Sequence, residues 1–183
     1  GRLGADTVVV AGGAWSAEIM REMIPLDVVP VRGQMLLFRA APETLHRILL
    51  QEGRYVIPRR DGRVLAGSTL EYVGYDKSVT EQARAELWEA AVRLVPALAD
   101  CPVENHWSGL RPGSPEGIPF IGKVGNISGL YVNAGHFRNG VVLGPASARL
   151  LADLILERSP IVDPAPYAPS RARSTGQGED GKP

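Results

Sequence analysis

Two strand-turn-helix segments, at residues 7–23 and 130–157, bracket a middle of short strands and tight turns, and this bracketing narrows the possible folds more than any other feature. Residues 7–11 form a continuous apolar run that ends at Gly12-Gly13 and passes into a helical pattern over 14–23, which Pro25 terminates. The second segment sets an apolar run at 130–134 before a helix predicted over 141–157. Its stripe of Leu143, Ala146, Leu150, Leu151, Leu154 and Ile155 faces a core, and Pro145 is accommodated in the first turn. Such alternation belongs to a parallel α/β sheet. The middle reads differently. Strands are predicted at 34–39, 48–51, 55–59, 63–68, 103–109 and 120–123, with Asp61-Gly62 supplying the positive backbone angles of a hairpin turn. Pro58 marks an edge or an irregularity in its strand. One helix stands out over 80–95, with Thr80 as N-cap, Glu81 in the first turn and an apolar stripe through Ala83, Leu87, Ala90, Ala91 and Leu94. The class expected is α+β, a mixed and largely antiparallel sheet flanked by helices, interleaved with part of an α/β domain.

Composition removes several function classes. Lysine plus arginine and aspartate plus glutamate number 20 each, so no global field recruits nucleic acid or an anionic membrane surface. The single cysteine, Cys101, excludes an internal disulfide and a multi-cysteine zinc site. It reads as structural and fits a reducing, cytoplasmic compartment. His46, His106 and His136 lack metal-ligand spacing, so no metal site is expected. No apolar run approaches the roughly 20 residues that span a bilayer. The pair Gly12-Gly13 lacks the full dinucleotide fingerprint and reads as a plain tight turn, with a phosphate-cradling loop as the other reading. Residues 1–4 lead into the first strand without a start methionine or targeting segment, so the chain reads as a fragment. Residues 161–183, rich in Pro, Ser, Arg and Gly, read as a disordered tail.

Two arginines carry the chemistry. They sit in Trp107-Ser-Gly-Leu-Arg111-Pro-Gly and Gly135-His-Phe-Arg138-Asn-Gly, among small and turn-forming residues. A guanidinium is always charged and presents a planar fork that matches a carboxylate, so the pair suits a small acidic ligand. Two solvated surface arginines are the competing reading. Pro112 favours an extended Arg111 at the end of a strand, which gives its side chain a fixed direction. Arg138 falls in a strand-to-helix turn, where the unpaired amides of a helix start attract an anion or a polarised ring oxygen. Tyr55 is open to a packing role or a place in the same pocket.

Five motifs in order point to one family: Val8-Val-Val-Ala-Gly-Gly-Ala-Trp-Ser16, Pro30-Val-Arg-Gly-Gln34, Tyr55-Val-Ile-Pro-Arg59 with Gly62-Arg-Val-Leu-Ala-Gly67, Trp107-Ser-Gly-Leu-Arg-Pro112 and Gly135-His-Phe-Arg-Asn-Gly140. Over residues 7–157 the chain resembles the C-terminal half of ThiO-like glycine oxidases in the D-amino acid oxidase superfamily of FAD-dependent oxidoreductases. The resemblance implies four parts: residues 1–25 as a late strand and helix of an FAD-binding domain, 26–125 as a substrate-binding domain, 126–160 as the last strand, flavin-facing loop and C-terminal helix of the FAD-binding domain, and 161–183 as the tail. It implies that Arg111 pairs with the substrate carboxylate while Tyr55 and Arg138 line the pocket. Residues His136, Phe137, Arg138, Asn139, Gly140, Val141 and Val142 would meet non-covalent FAD.

The family's chemistry is hydride transfer from the substrate Cα to the flavin, giving an imine that hydrolyses, with molecular oxygen reduced to hydrogen peroxide. Positioning then matters more than acid or base catalysis, and no catalytic acid or base is assigned. His136 reads as packing beside the flavin, with a general base as the other role. The family's Gly-x-Gly-x-x-Gly turn and its acidic ribose-binding residue do not occur here, so the FAD-binding domain is expected to be incomplete. The second reading is a catalytically inactive folded fragment, or an oligomerising module, that lacks a complete FAD site. An apolar face left by a missing half is expected to favour a homo-oligomer.

Overall fold

The computed structural model describes residues 1–125 and 127–171. It divides into two compact units, one of residues 1–29 with 112 onward and one of residues 30–111. The sequence places the second boundary at 125/126. In the structure β7 (Phe120–Lys123) pairs with β8 (Leu130–Ala134), which draws everything after Arg111 into the first unit.

In that first unit the strand order is β1-β8-β7, where β1 is Val8–Val10. β1 runs parallel to β8, with Val8 opposite Leu130 and Val10 opposite Val132, while β7 is antiparallel to β8. Alternation along β8 builds two layers. Leu130, Val132 and Ala134 face Met20, Leu26, Val28, Phe120 and Val124 on one side. Tyr131 faces Ile121, Leu150 and Leu151 on the other. The helical pattern over 14–23 resolves into a 3-10 turn at Gly13–Trp15 and a short helix α1, Ser16–Met20. Helix α3, Gly140–Ile155, begins one residue before its expected start, and Pro145, its sixth residue, lies in the second turn rather than the first. Its missing N–H leaves the Val141 carbonyl without a helical partner. Val141 is 96% exposed, so water reaches that group. The buried face of α3 is also turned: Ser147 and Asp153 are buried with Leu150 and Leu151, and Ala146 is exposed.

Residues 161–171, expected to be disordered, hold a 3-10 turn at Ala165–Tyr167. Tyr167 packs on the Ile121 cluster, and the Arg171 guanidinium lies 3.7 Å from the centre of the Phe120 ring while donating to the Ile118 and Pro119 carbonyls at 2.8 Å. One tyrosine and one arginine tie down a segment whose composition alone predicts no order. The rest of the expected tail lies outside the described residues.

The second unit is a five-stranded sheet in the order β3-β4-β5-β2-β6. Its strands are β2 (Val29–Arg39), β3 (Leu49–Gln51), β4 (Arg54–Pro58), β5 (Arg63–Gly67) and β6 (Val103–Gly113). β3 and β4 join through Glu52 and Gly53, both at positive φ, which gives a two-residue hairpin whose twist matches its strands. β4 and β5 turn at Asp61-Gly62 as the sequence predicts, with Gly62 at φ +84. Pro58 is tolerated inside the sheet because β3 pairs only as far as Val56, so no partner on that side needs its N–H. Helix α2, Glu81–Leu94, is capped by Thr80, whose hydroxyl accepts from the Ala83 amide at 3.2 Å. Its Leu87 and Ala91 close a core over Leu36, Phe38, Val56, Val64 and Ala66. Burying one leucine-sized side chain stabilises by about 1.5–3 kcal/mol, so this single apolar face accounts for most of what holds α2 in place.

Candidate active site

β6 delivers Arg111 two residues before the strand ends, held extended by Pro112 as the sequence predicts. Its Nη2 donates to the Ser68 hydroxyl at 2.6 Å and its Nη1 to the Thr69 carbonyl at 3.3 Å. Both partners are neutral, and no acidic side chain among the described residues pairs with it.

Arg32 of the same unit is the contrast. It is 5% exposed and saturated with acid: Nε and Nη2 meet Glu71 Oε2 at 2.9 and 2.5 Å, and Nη1 meets Asp76 Oδ2 at 2.6 Å. The hydrogen bond to Glu71 outweighs the cost of burial and holds the Arg32 guanidinium above its usual pKa. Burial pushes the Glu71 carboxyl up, but hydrogen bonds from Thr69, Arg32 and Gln34 outweigh it and hold the group below the usual range. Of these two arginines, Arg111 is the one with charge left for a ligand.

Tyr55 on β4 is half-buried and lies opposite Gly67 on β5. A Cβ at Gly67 would come within 2.9 Å of the Tyr55 oxygen, so the glycine gives the ring its place, and the hydroxyl donates to Met35 Sδ at 3.8 Å. Arg111 lies where a side chain at Gly33 would point. Gly33 and Met35 are two apart on β2 and so share a face. The structure therefore brings Tyr55 and Arg111 to one face of the sheet, opposite α2. Arg138 and the loop over 136–142 belong to the other unit.

That loop leaves β8 at Gly135, at φ +81, where a Cβ would press on Ser114 at 3.1 Å and Phe120 at 3.3 Å. The Phe137 amide donates to the Pro112 carbonyl at 3.0 Å, and His136 Nε2 lies 2.9 Å from the Ser147 hydroxyl. Burial lowers the His136 pKa and favours the neutral ring. Arg138 and Asn139 are exposed, and the first turn of α3 follows at once, with Val141 and Val142 96% and 82% exposed.

The family pattern described as FAD dependent oxidoreductase matches residues 1–154. The chain belongs to this family. A glycine oxidase of Pseudomonas aeruginosa is 55% identical over 171 residues, which cover 93% of this chain and 47% of that protein. A bifunctional ThiO/ThiG protein of Synechocystis is 40% identical over 182 residues, covering 96% and 27%. The crystal structure of glycine oxidase from Geobacillus kaustophilus matches with a TM-score of 0.88 at 34% identity, covering 93% of this chain and 46% of that one. The chain spans about half the length of the glycine oxidases it matches.

The family description names FAD, and the residues at the start of α3 fit one end of it. The Gly140 and Val141 amides, which precede the first hydrogen bonds of the helix at Val142 and Leu143, two solvent-facing valines and an exposed guanidinium offer polar donors beside an apolar surface, which is what a flat ring with carbonyl edges requires. Sequence reasoning names Arg111, Tyr55 and this loop. It assigns no role to Gly33, Ser68, Thr69 and Glu71, although Gly33 falls inside one of the five motifs, because their partners are distant in sequence.

Proposed function

We propose that this chain supplies the carboxylate-holding and flavin-facing surfaces of an FAD-dependent oxidase that converts glycine or another small amino acid to its imine or oxo acid and forms hydrogen peroxide. The observation that carries the reading is Arg111, a half-buried guanidinium fixed by two neutral acceptors and matched by no acid among the described residues. In this reading Arg111 binds the substrate carboxylate through its planar fork, and Tyr55 on the same sheet face shapes the space for a short side chain. Arg138 adds positive charge from the loop before α3. The amides that open α3 would hold the electron-accepting ring, and their partial positive charge favours the form that has taken up electrons. When bound, FAD supplies the hydride acceptor, and molecular oxygen is the second substrate. His136 is held to Ser147 and serves packing. We assign residues 30–111 to substrate and the remaining unit to flavin.

The test is the absorbance spectrum of the purified chain with and without added FAD, followed by peroxide formation from glycine, sarcosine and D-alanine. Flavin uptake with turnover of one of these supports the reading. Arg111→Ala is expected to weaken substrate binding by about tenfold or more, the cost of one lost charged hydrogen-bonding partner, with flavin affinity unchanged. Equal loss of both removes Arg111 from the substrate site. A colourless protein that takes up no FAD overturns the oxidase reading for this chain and leaves a non-catalytic carboxylate-binding fragment.

A further inference from the structure

Arg111 owes its direction to residues that touch no ligand. The segment carrying Thr69 and Glu71 runs beside β2: the Arg32 amide donates to the Glu71 carbonyl at 2.8 Å and the Glu71 amide returns the bond at 3.0 Å. At the next pair the pattern breaks. The Thr69 amide donates to the Gln34 carbonyl at 3.3 Å, but the Gln34 amide donates to the Thr69 hydroxyl, at 2.8 Å, and not to its carbonyl. The hydroxyl proton goes to Glu71, which aims the oxygen lone pairs at Gln34. The Thr69 carbonyl, released from the ladder, accepts from Arg111.

Gly33 supplies the space. A Cβ there would overlap Nη1, Nη2 and Cζ of Arg111, while the φ of Gly33 lies outside the left-handed region, so its backbone does not require glycine. Room for the guanidinium is what a side chain at this position would remove.

We propose that Thr69 and Gly33 are positioning residues for Arg111: the Thr69 hydroxyl takes over a strand hydrogen bond so that its carbonyl can hold the guanidinium, and the bare backbone of Gly33 lets the guanidinium lie flat on the sheet. Thr69 and Gly33 act on the ligand only through Arg111. This inference rests on the carboxylate reading of Arg111.

The experiment measures glycolate binding to the purified chain by titration calorimetry in the unsubstituted protein, Arg111→Ala, Thr69→Val, Thr69→Ser and Gly33→Ala. The Nη proton signals of Arg111 are followed by NMR without ligand, since two fixed acceptors slow rotation of the guanidinium. Thr69→Val keeps the shape of the side chain but forces the Gln34 amide back onto the Thr69 carbonyl. It is expected to weaken glycolate binding about tenfold, the loss of one hydrogen bond to a charged group, and to merge the Arg111 signals. Thr69→Ser should restore both to within about twofold, which a merely structural role for the threonine methyl would not allow. Gly33→Ala should weaken binding at least as much, and neither change should add to Arg111→Ala.

If Arg111→Ala weakens binding while Thr69→Val and Gly33→Ala do not, the positioning role is overturned and the carboxylate reading stands. If Arg111→Ala leaves glycolate affinity unchanged, or the unsubstituted chain binds none, the carboxylate reading fails and takes this inference with it. If Thr69→Val fails to fold, Gly33→Ala decides: unchanged affinity and resolved Arg111 signals overturn the proposal.

Discussion

Replacing Glu71 by alanine should cost the second unit more than any surface substitution, and its size can be worked from the partners lost. Glu71 accepts from Thr69, from Gln34 at 3.0 Å and from two nitrogens of Arg32, and is itself 23% exposed. Stripping one partner from a buried ion pair costs about 3–5 kcal/mol, because the remaining charge stays out of water. Arg32 would still hold Asp76 and Ser78, at 2.6 and 3.1 Å, so its charge is not wholly uncompensated. The expected loss is therefore lower, about 2–3 kcal/mol, equivalent to roughly 4–12 °C in Tm for a chain of this length.

Glu71→Gln keeps an acceptor for Thr69 and should lose less, and Asp76→Asn, at a position 51% exposed, should lose less still, because solvent screens the pair. The assay is urea unfolding, read as a lower midpoint at unchanged slope. The sign with pH follows from the lowered Glu71 pKa. The carboxylate stabilises fully above its unfolded value of about 4.3 and loses that contribution as pH falls through its lower folded value, so the gap between the unsubstituted protein and Glu71→Gln should close in acid. A Glu71→Ala protein within about 0.5 kcal/mol of the unsubstituted chain would refute the idea that this pair braces the sheet.

Burial lowers the pKa of His106, helped by Arg84, and burial lowers that of His136. Both histidines favour the neutral ring in the fold, so their contribution is complete above about pH 6.5 and is lost as pH falls below it. Tm should fall between pH 7.5 and 5.5 and fall less in His106→Gln; a flat or rising profile would contradict this. Gly62→Ala places a side chain at φ +84, with its Cβ 2.9 Å from the Ala40 carbonyl. It should destabilise by about 1–2 kcal/mol or more in thermal unfolding, whereas a gain in stability would mean that the turn relaxes freely.

What was legible in the sequence acts over a few residues. Asp61-Gly62 marks a turn because glycine reaches positive φ, Thr80 caps a helix because its hydroxyl reaches an amide three residues on, and Pro112 extends Arg111 because its ring crowds the residue before it. The errors share the opposite cause. Residues 161–171 offer only Ile161, Val162 and Tyr167 as large apolar side chains among prolines and small or polar residues and so predict disorder, yet Arg171 is fixed by the Phe120 ring and two carbonyls from another part of the chain. The boundary expected at 125 and the edge of the compact unit at 111/112 differ because β7 pairs with β8, a pairing decided by register across a turn and not by composition.

The candidate site divides along the same line. Arg111 is named by its neighbours in sequence, but what separates it from Arg32 is charge pairing across strands: Glu71 and Asp76 neutralise one guanidinium, and only Ser68 and Thr69 hold the other. Both arginines lie in family motifs, so a motif alone does not say which one is free to bind. Gly33 makes the point most sharply. Glycine in a strand ordinarily signals a weak strand or a bulge, whereas here its missing side chain is space already taken by Arg111 from β6. A residue selected for the room it leaves carries no local signature, so it becomes readable only once its occupant is in place.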